Sequence, residues 1–136
     1  MVRKINKDIF SLGQKSAPAG PGDLPAALDL LDTLRANAED CVGMAANMIG
    51  VGKCIIAFLD GADYTLMFNP QIVQSSGEYE AEEGCLSLSG VRKTKRFEKI
   101  TVEYQDMGFR SCRKSYSGFT AEIIQHEIDH CRGIII

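Results

Sequence analysis

Between residues 24 and 36 apolar side chains recur at helical spacing. Leu24, Leu28, Leu31 and Leu34 alternate with Asp29, Asp32 and Arg35. This pattern predicts a helix from about Pro25 to Asp40, its leucine stripe packed into a core. Asp23 is placed to cap its start and Pro25 suits the first turn. The preceding stretch, Ser16 to Pro25, is rich in Pro and Gly and reads as a loop. After the helix comes Cys41 to Gly50, a run of small residues through which backbone can approach backbone or ligand closely. Val51 to Leu59 and Tyr64 to Phe68 read as strands around a turn at Asp60 to Asp63. Gln71 to Gln74 extends the sheet beyond Asn69-Pro70. KITVEY, residues 99 to 104, alternates in the period of a strand, and Arg113 to Tyr116 reads as another. A last helix is predicted from Thr120 to about Arg132, stopped by Gly133. Strands follow strands and helices lie at the ends. The expected fold class is therefore α+β: a mostly antiparallel sheet with an N-terminal helix and a second helix at the C-terminal end.

Composition narrows the function classes. The chain has 136 residues, 45% hydrophobic and 24% charged, with a net charge of −3. That length suits a single domain, 1–136, with one real core. An acidic balance argues against direct binding of nucleic acid, whose partners carry a basic face. The one dense basic stretch, Arg92, Lys93, Lys95 and Arg96, is expected as solvated surface, with a grip on a peptide or carboxylate as the alternative. No apolar run approaches the ~20 residues that cross a bilayer. Met1 to Gln14 lacks the apolar core of a signal peptide, so a cytoplasmic protein is expected. Five cysteines at irregular spacing then read as reduced thiols rather than a disulfide framework.

The candidate chemistry lies in Gln125-His126-Glu127-Ile128-Asp129-His130, which holds both histidines of the chain. Histidines at i and i+4 project from one helix face, so both rings can reach one metal ion, with Glu127 beside the first to act on a bound water. Two histidines leave a catalytic site one protein ligand short. Cys85, in Glu82-Glu83-Gly84-Cys85-Leu86-Ser87, is a candidate third ligand, and His2Cys suits zinc or iron. Glu83, Glu127 and Asp129 compete for the same place, and a lone cysteine also serves as a small buried hydrophobe.

Three segments in this order resemble the peptide deformylases: Gly43-Met44-Ala45-Ala46, Glu83-Gly84-Cys85-Leu86-Ser87 and the histidine segment. The similarity continues through Phe68-Asn69-Pro70, Arg92 and Arg96, and the KITVEYQD strand, covering nearly the whole chain. The resemblance implies removal of the formyl group from the N-terminal formyl-methionine of new proteins, releasing formate. It implies an α+β fold in which sheet packs around a central metal-binding helix. It implies one divalent ion held by Cys85, His126 and His130, natively Fe(II), with Zn or Ni also accepted. Glu127 would be the general base and the backbone N–H of Leu86 a donor to the developing oxyanion. Glu83 and Asp129 would serve structural or ligand-orienting parts. Val42, Gly43, Met48 and Ile123 are the expected substrate-binding residues. Phe119, on the same helix face as His126, is a candidate for the same pocket or for the core. The expected partner is an N-formylmethionyl peptide on nascent chains at the ribosome, and the expected assembly a monomer or weak dimer.

The first segment departs from the family. A glutamine, the usual second oxyanion donor, is replaced by Met48, which donates no hydrogen bond. Asn47 is adjacent, but in an extended segment it would point away. Cys41 stands where the family has Gly, and the chain stops six residues after His130, as a short form would. Three other readings follow: an amidase for another acylated substrate, a metal-binding protein that holds formylated peptides without cleaving them, and a peptidase sharing the metal-binding helix. Retention of Glu127 argues against the second, and the Cys85 segment against the third.

Overall fold

Four consecutive apolar residues, Ile55-Ile56-Ala57-Phe58, are all buried. A strand with no polar alternation needs cover on both faces, and the computed structural model, which describes residues 1–136, supplies it. The elements are α1 (Ile9–Leu12), α2 (Leu24–Ala36), β1 (Gly43–Ala45), β2 (Ile55–Asp60), β3 (Asp63–Cys85), β4 (Leu88–Gln105), β5 (Ser111–Ser117) and α3 (Gly118–Cys131). Short 3₁₀ turns occupy Pro21–Asp23 and Ala46–Ile49. Ile55 and Ala57 face one way, into a cluster with Leu30 and Leu34 of α2. Ile56 and Phe58 face the other, into a cluster with Ile124 and Ile128 of α3.

The strands form one sheet in the order β1-β2-β3-β4-β5, and every ladder is antiparallel. The fold is α+β, with the sheet lying between α2 and the histidine-bearing α3. Its dominant feature is the long β3–β4 hairpin, which carries Cys85 at its tip, where it pairs with Leu88. A register shift between Phe68 and Gln71 accommodates Asn69 at a φ of 53°. The Asn69 side chain ties this bend to Ala19 and to Gln105.

Several sequence expectations change. α2 ends at Ala36 rather than Asp40. Its buried residues are Ala27, Leu30, Thr33 and Leu34, while Leu28 is 41% exposed. The stripe is thus rotated by about one residue, with Ala27 in place of Leu28 in the core cluster. Asp23 does not cap α2; its carboxylate accepts instead from the Gly20 N–H. The first long strand begins at Ile55, not Val51, and the strand around KITVEY reaches back to Leu88. The basic run therefore lies on a strand. Lys93 and Lys95 stand opposite Glu82 and Glu80 in the register, a pairing of opposite charges that favours this alignment. Arg96 departs from its neighbours, being 3% exposed.

Candidate metal centre

The helix pattern that buries Ile124 and Ile128 also buries the polar residues between them. Gln125, His126, Glu127 and His130 are all under 9% exposed. Gln125 is tied to backbone on both sides. The Gln125 side-chain amide donates to the carbonyls of Phe97 and Ala121, and its oxygen accepts from the Phe97 N–H. This fixes the rotation of α3 against β4. One turn on, the donor atoms of Cys85, His126 and His130 converge, all within 4.8 Å of one another. The two Nε2 atoms are 3.1 Å apart.

The buried charges explain why the rings face this way. His126 Nδ1 donates to Glu83 Oε1 at 2.8 Å. Arg96 donates to both oxygens of Glu83, at 2.7 and 2.9 Å, and to Asp129 Oδ2 at 2.8 Å. Burial works against the Glu83 charge, but His126 and Arg96 outweigh it and hold the carboxyl near 2. An ionised Glu83 only accepts, so it fixes a proton of His126 on Nδ1 and leaves Nε2 as the nitrogen turned toward His130, the one that would give up its proton to an ion. At His126 burial disfavours charge, yet Glu127, Cys85 and Glu83 raise its pKa to about 10. His130, buried and facing His126, is lowered to about 3. Two rings crowded nitrogen to nitrogen, with a thiol beside them, are what a cation in their midst would relieve.

The distances fit such an ion. Two nitrogens at ~2.0–2.1 Å from a tetrahedral ion stand ~3.3 Å apart, near the 3.1 Å found here. The donor set, two imidazoles and a thiol, suits zinc or iron. The remaining alternatives for third ligand fall away, since Glu83 and Asp129 are engaged by Arg96. Glu127 lies outside the converging group.

Glu127 borders a cavity of about 450 Å³ that also touches Cys85 and His126. Its Oε1 is buried without a hydrogen-bond partner. Burial is the main cause that raises its pKa to about 7, with His126 opposing and Glu83 adding to the rise. Val42, Gly43, Met48, Leu86 and Ile123 line the same cavity. At Gly43 a Cβ would fall 2.6 Å from Ile123 and 2.9 Å from Glu127, so only glycine lets β1 pass this close to α3. Phe119 also lines the cavity but is 64% exposed, so it belongs to the mouth and not to the core.

Three features were misread or missed in the sequence. Arg96 was hidden in a basic run that looked solvated; the signal was Glu83, an acidic residue beside a candidate ligand and in need of a partner. Residues 46 to 49 form a 3₁₀ turn rather than an extended segment. Asn47 nevertheless points away from the site, its amide donating to the His130 carbonyl at 2.8 Å. Cys41 lines the cavity, but its thiol donates to the Gly43 carbonyl and is pushed up to about 12, chiefly by burial and then by Glu127. It stays a thiol and plays no part in the converging group.

Comparison with known proteins agrees with this geometry. A family model described as polypeptide deformylase matches residues 12–136. A peptide deformylase of Clostridium beijerinckii is 54% identical over 136 residues, covering all of both chains. Peptide deformylase 2 of Clostridium acetobutylicum is 40% identical over 108 residues, covering 79% of this chain and 71% of the relative. Among solved structures, a peptide deformylase from Legionella pneumophila superposes with a TM-score of 0.88 at 34% identity, over 99% of this chain and 83% of that one. The enzyme from Thermus thermophilus gives 0.87 at 31% identity, with the same coverage. By sequence along its full length, by fold and by the Cys-His-His group, this chain belongs to the peptide deformylase family of metal-dependent hydrolases.

Proposed function

We propose that this protein hydrolyses the formyl amide of N-terminal formyl-methionine on polypeptides, adding water across the C–N bond to release formate and a free amino terminus. The observation that carries this reading is Glu127, a buried carboxylate with one unpartnered oxygen on a cavity wall shared with Cys85 and His126. Cys85, His126 and His130 would hold a divalent ion, natively Fe(II), with Zn or Ni accepted. Such an ion supplies Lewis-acid activation of a water. Glu127, with a pKa near 7, is matched to taking a proton from that water and giving it to the leaving amine. Glu83 keeps the His126 ring in orientation, and Arg96 keeps Glu83 ionised. Met48 brings no donor, so the backbone N–H of Leu86 is assigned to the developing oxyanion. Val42, Gly43 and Ile123 would receive the methionine side chain, and Phe119 would meet the peptide as it leaves the cavity.

The substrate in the cell would be nascent chains at the ribosome. No helix is long and apolar enough to cross a membrane, and we assign the protein to the cytoplasm as one 1–136 domain, monomeric or weakly dimeric. The test is formate release from a formyl-Met peptide by protein purified anaerobically and loaded with Fe(II) or Ni(II). Glu127→Ala should keep its metal and lose on the order of 10²–10⁴-fold in turnover. Undiminished turnover in that variant would remove Glu127 from its role.

A further inference from the structure

Met48 is 1% exposed, yet its sulfur is not surrounded by carbon alone. Sδ lies 4.0 Å from Cys85 Sγ and accepts from the Ala45 N–H at 3.5 Å. Its backbone is clamped from two directions. The Met48 carbonyl accepts from Asn6 N–H at 2.7 Å, and the Asn6 side chain holds the Asn47 carbonyl at 2.9 Å. The Asn47 side chain in turn holds the carbonyl of His130. The turn that presents the thioether is thus bolted to the helix that presents the imidazoles.

We infer that Met48 Sδ is a fourth donor to the metal centre and gives the site a preference for soft, thiophilic ions such as Cu(I). The inference rests on Cys85, His126 and His130 forming a metal site, and on no part of the hydrolytic reading. A thiolate at ~2.3 Å and a thioether at that distance or longer put the two sulfurs of one tetrahedral ion ~3.8 Å or more apart, in keeping with the 4.0 Å seen between Sγ and Sδ. Thioether and thiolate are soft ligands that select Cu(I), and two histidines, a cysteine and a methionine together are a copper-type donor set. A harder ion such as Fe(II) binds a thioether weakly and leaves the fourth position to water. A soft ion would take all four protein donors and close it. The same pocket then distinguishes ions by whether Met48 joins in.

The experiment titrates the metal-free, full-length protein anaerobically with Cu(I) against a chromogenic chelator, and in parallel with Zn(II). Met48→Leu keeps the apolar volume and removes the sulfur. It should lose on the order of tenfold or more in Cu(I) affinity while Zn(II) affinity stays within about twofold. Equal Cu(I) affinity in both proteins, or equal losses for both ions, would overturn the inference. Cys85→Ser separates the two levels of the argument. If it weakens both ions while Met48→Leu changes neither, the thioether assignment alone fails; if it weakens neither, the metal site itself fails and the inference with it. X-ray absorption on the copper-loaded natural sequence needs no variant: two sulfur neighbours support Met48 as a donor, and one overturns it.

Discussion

The two long helices cover opposite faces of one sheet and are nearly equal in length, 13 residues in α2 and 14 in α3. They bury different things. α2 buries Ala27, Leu30, Thr33 and Leu34, and its one polar member returns its hydroxyl to the helix at the Asp29 carbonyl. α3 buries nine residues, among them Gln125, His126, Glu127 and His130. The first helix contributes to stability by removing apolar surface from water. The second gives part of its buried face to groups that must be held by others: Gln125 by the backbone of β4, His126 by Glu83, and Glu83 by Arg96. A functional helix in this fold is therefore recognised by its dependence on the neighbouring strands, not by its own periodicity.

Removing one of those holding partners should have the largest effect. Arg96→Ala leaves Glu83 buried without its cation and should cost about 3–5 kcal/mol. Lysine should restore only part of this, since it cannot repeat the forked contacts. Urea denaturation of both variants measures the difference, and a loss below about 1 kcal/mol would mean that water replaces the guanidinium. In α2, Leu30→Ala should cost about 2–5 kcal/mol while turnover of the folded fraction is unchanged. A matching fall in kcat would show that the two faces are coupled through the sheet.

Glu127 supplies the opposite sign. In metal-free protein its folded pKa is about 7, above the ordinary carboxylate value, so the folded state keeps a proton that the unfolded chain has already lost. Stability from this group is present below pH ~4.5 and is lost as pH rises toward 7. Glu127→Gln should then be more stable than the natural sequence at pH 8, by about 3 kcal/mol, with the gap closing by pH ~4.5. Thermal melts of both proteins at the two pH values would decide it; a gap independent of pH would point to packing instead. The smallest effect is expected at Leu28, exposed on α2, where alanine should shift stability by less than about 0.5 kcal/mol.

What was legible in the sequence follows the same division. Periodicity found both helices and the KITVEY strand, because those patterns are local. It placed the α2 stripe on Leu28 rather than Ala27, since leucine carries more hydrophobic signal than the alanine that is buried. The hairpin was seen only at its inner end. Beyond Lys99 the more buried face of β4 carries Arg96, Thr94 and Arg92, so hydrophobic alternation fades although burial still alternates, and the register of Glu80 and Glu82 against Lys95 and Lys93 marks the paired strand. Arg96 could not be separated from Arg92 by sequence, because its burial is decided by Glu83 and Asp129, 13 and 33 residues away. The three candidate ligands could be named, since their spacing and the family resemblance carried them. The Met48 sulfur next to Cys85 could not, because it depends on a 3₁₀ turn that the small residues of that segment do not announce.

The placement of Cys85 at a hairpin tip and of the histidines on α3 has a consequence for assembly. In the unfolded chain the two histidines are already near neighbours, but Cys85 joins them only when the hairpin tip has docked on α3. An ion coordinated by all three would act as a clasp between two parts of the chain that local structure cannot connect. Its occupancy would add about 1.4 kcal/mol to the docked state for each tenfold excess of free ion over the dissociation constant. Chelation would release the clasp, and the hairpin tip, joined to the rest by a turn and charged rungs, would be the first segment to exchange its amide protons.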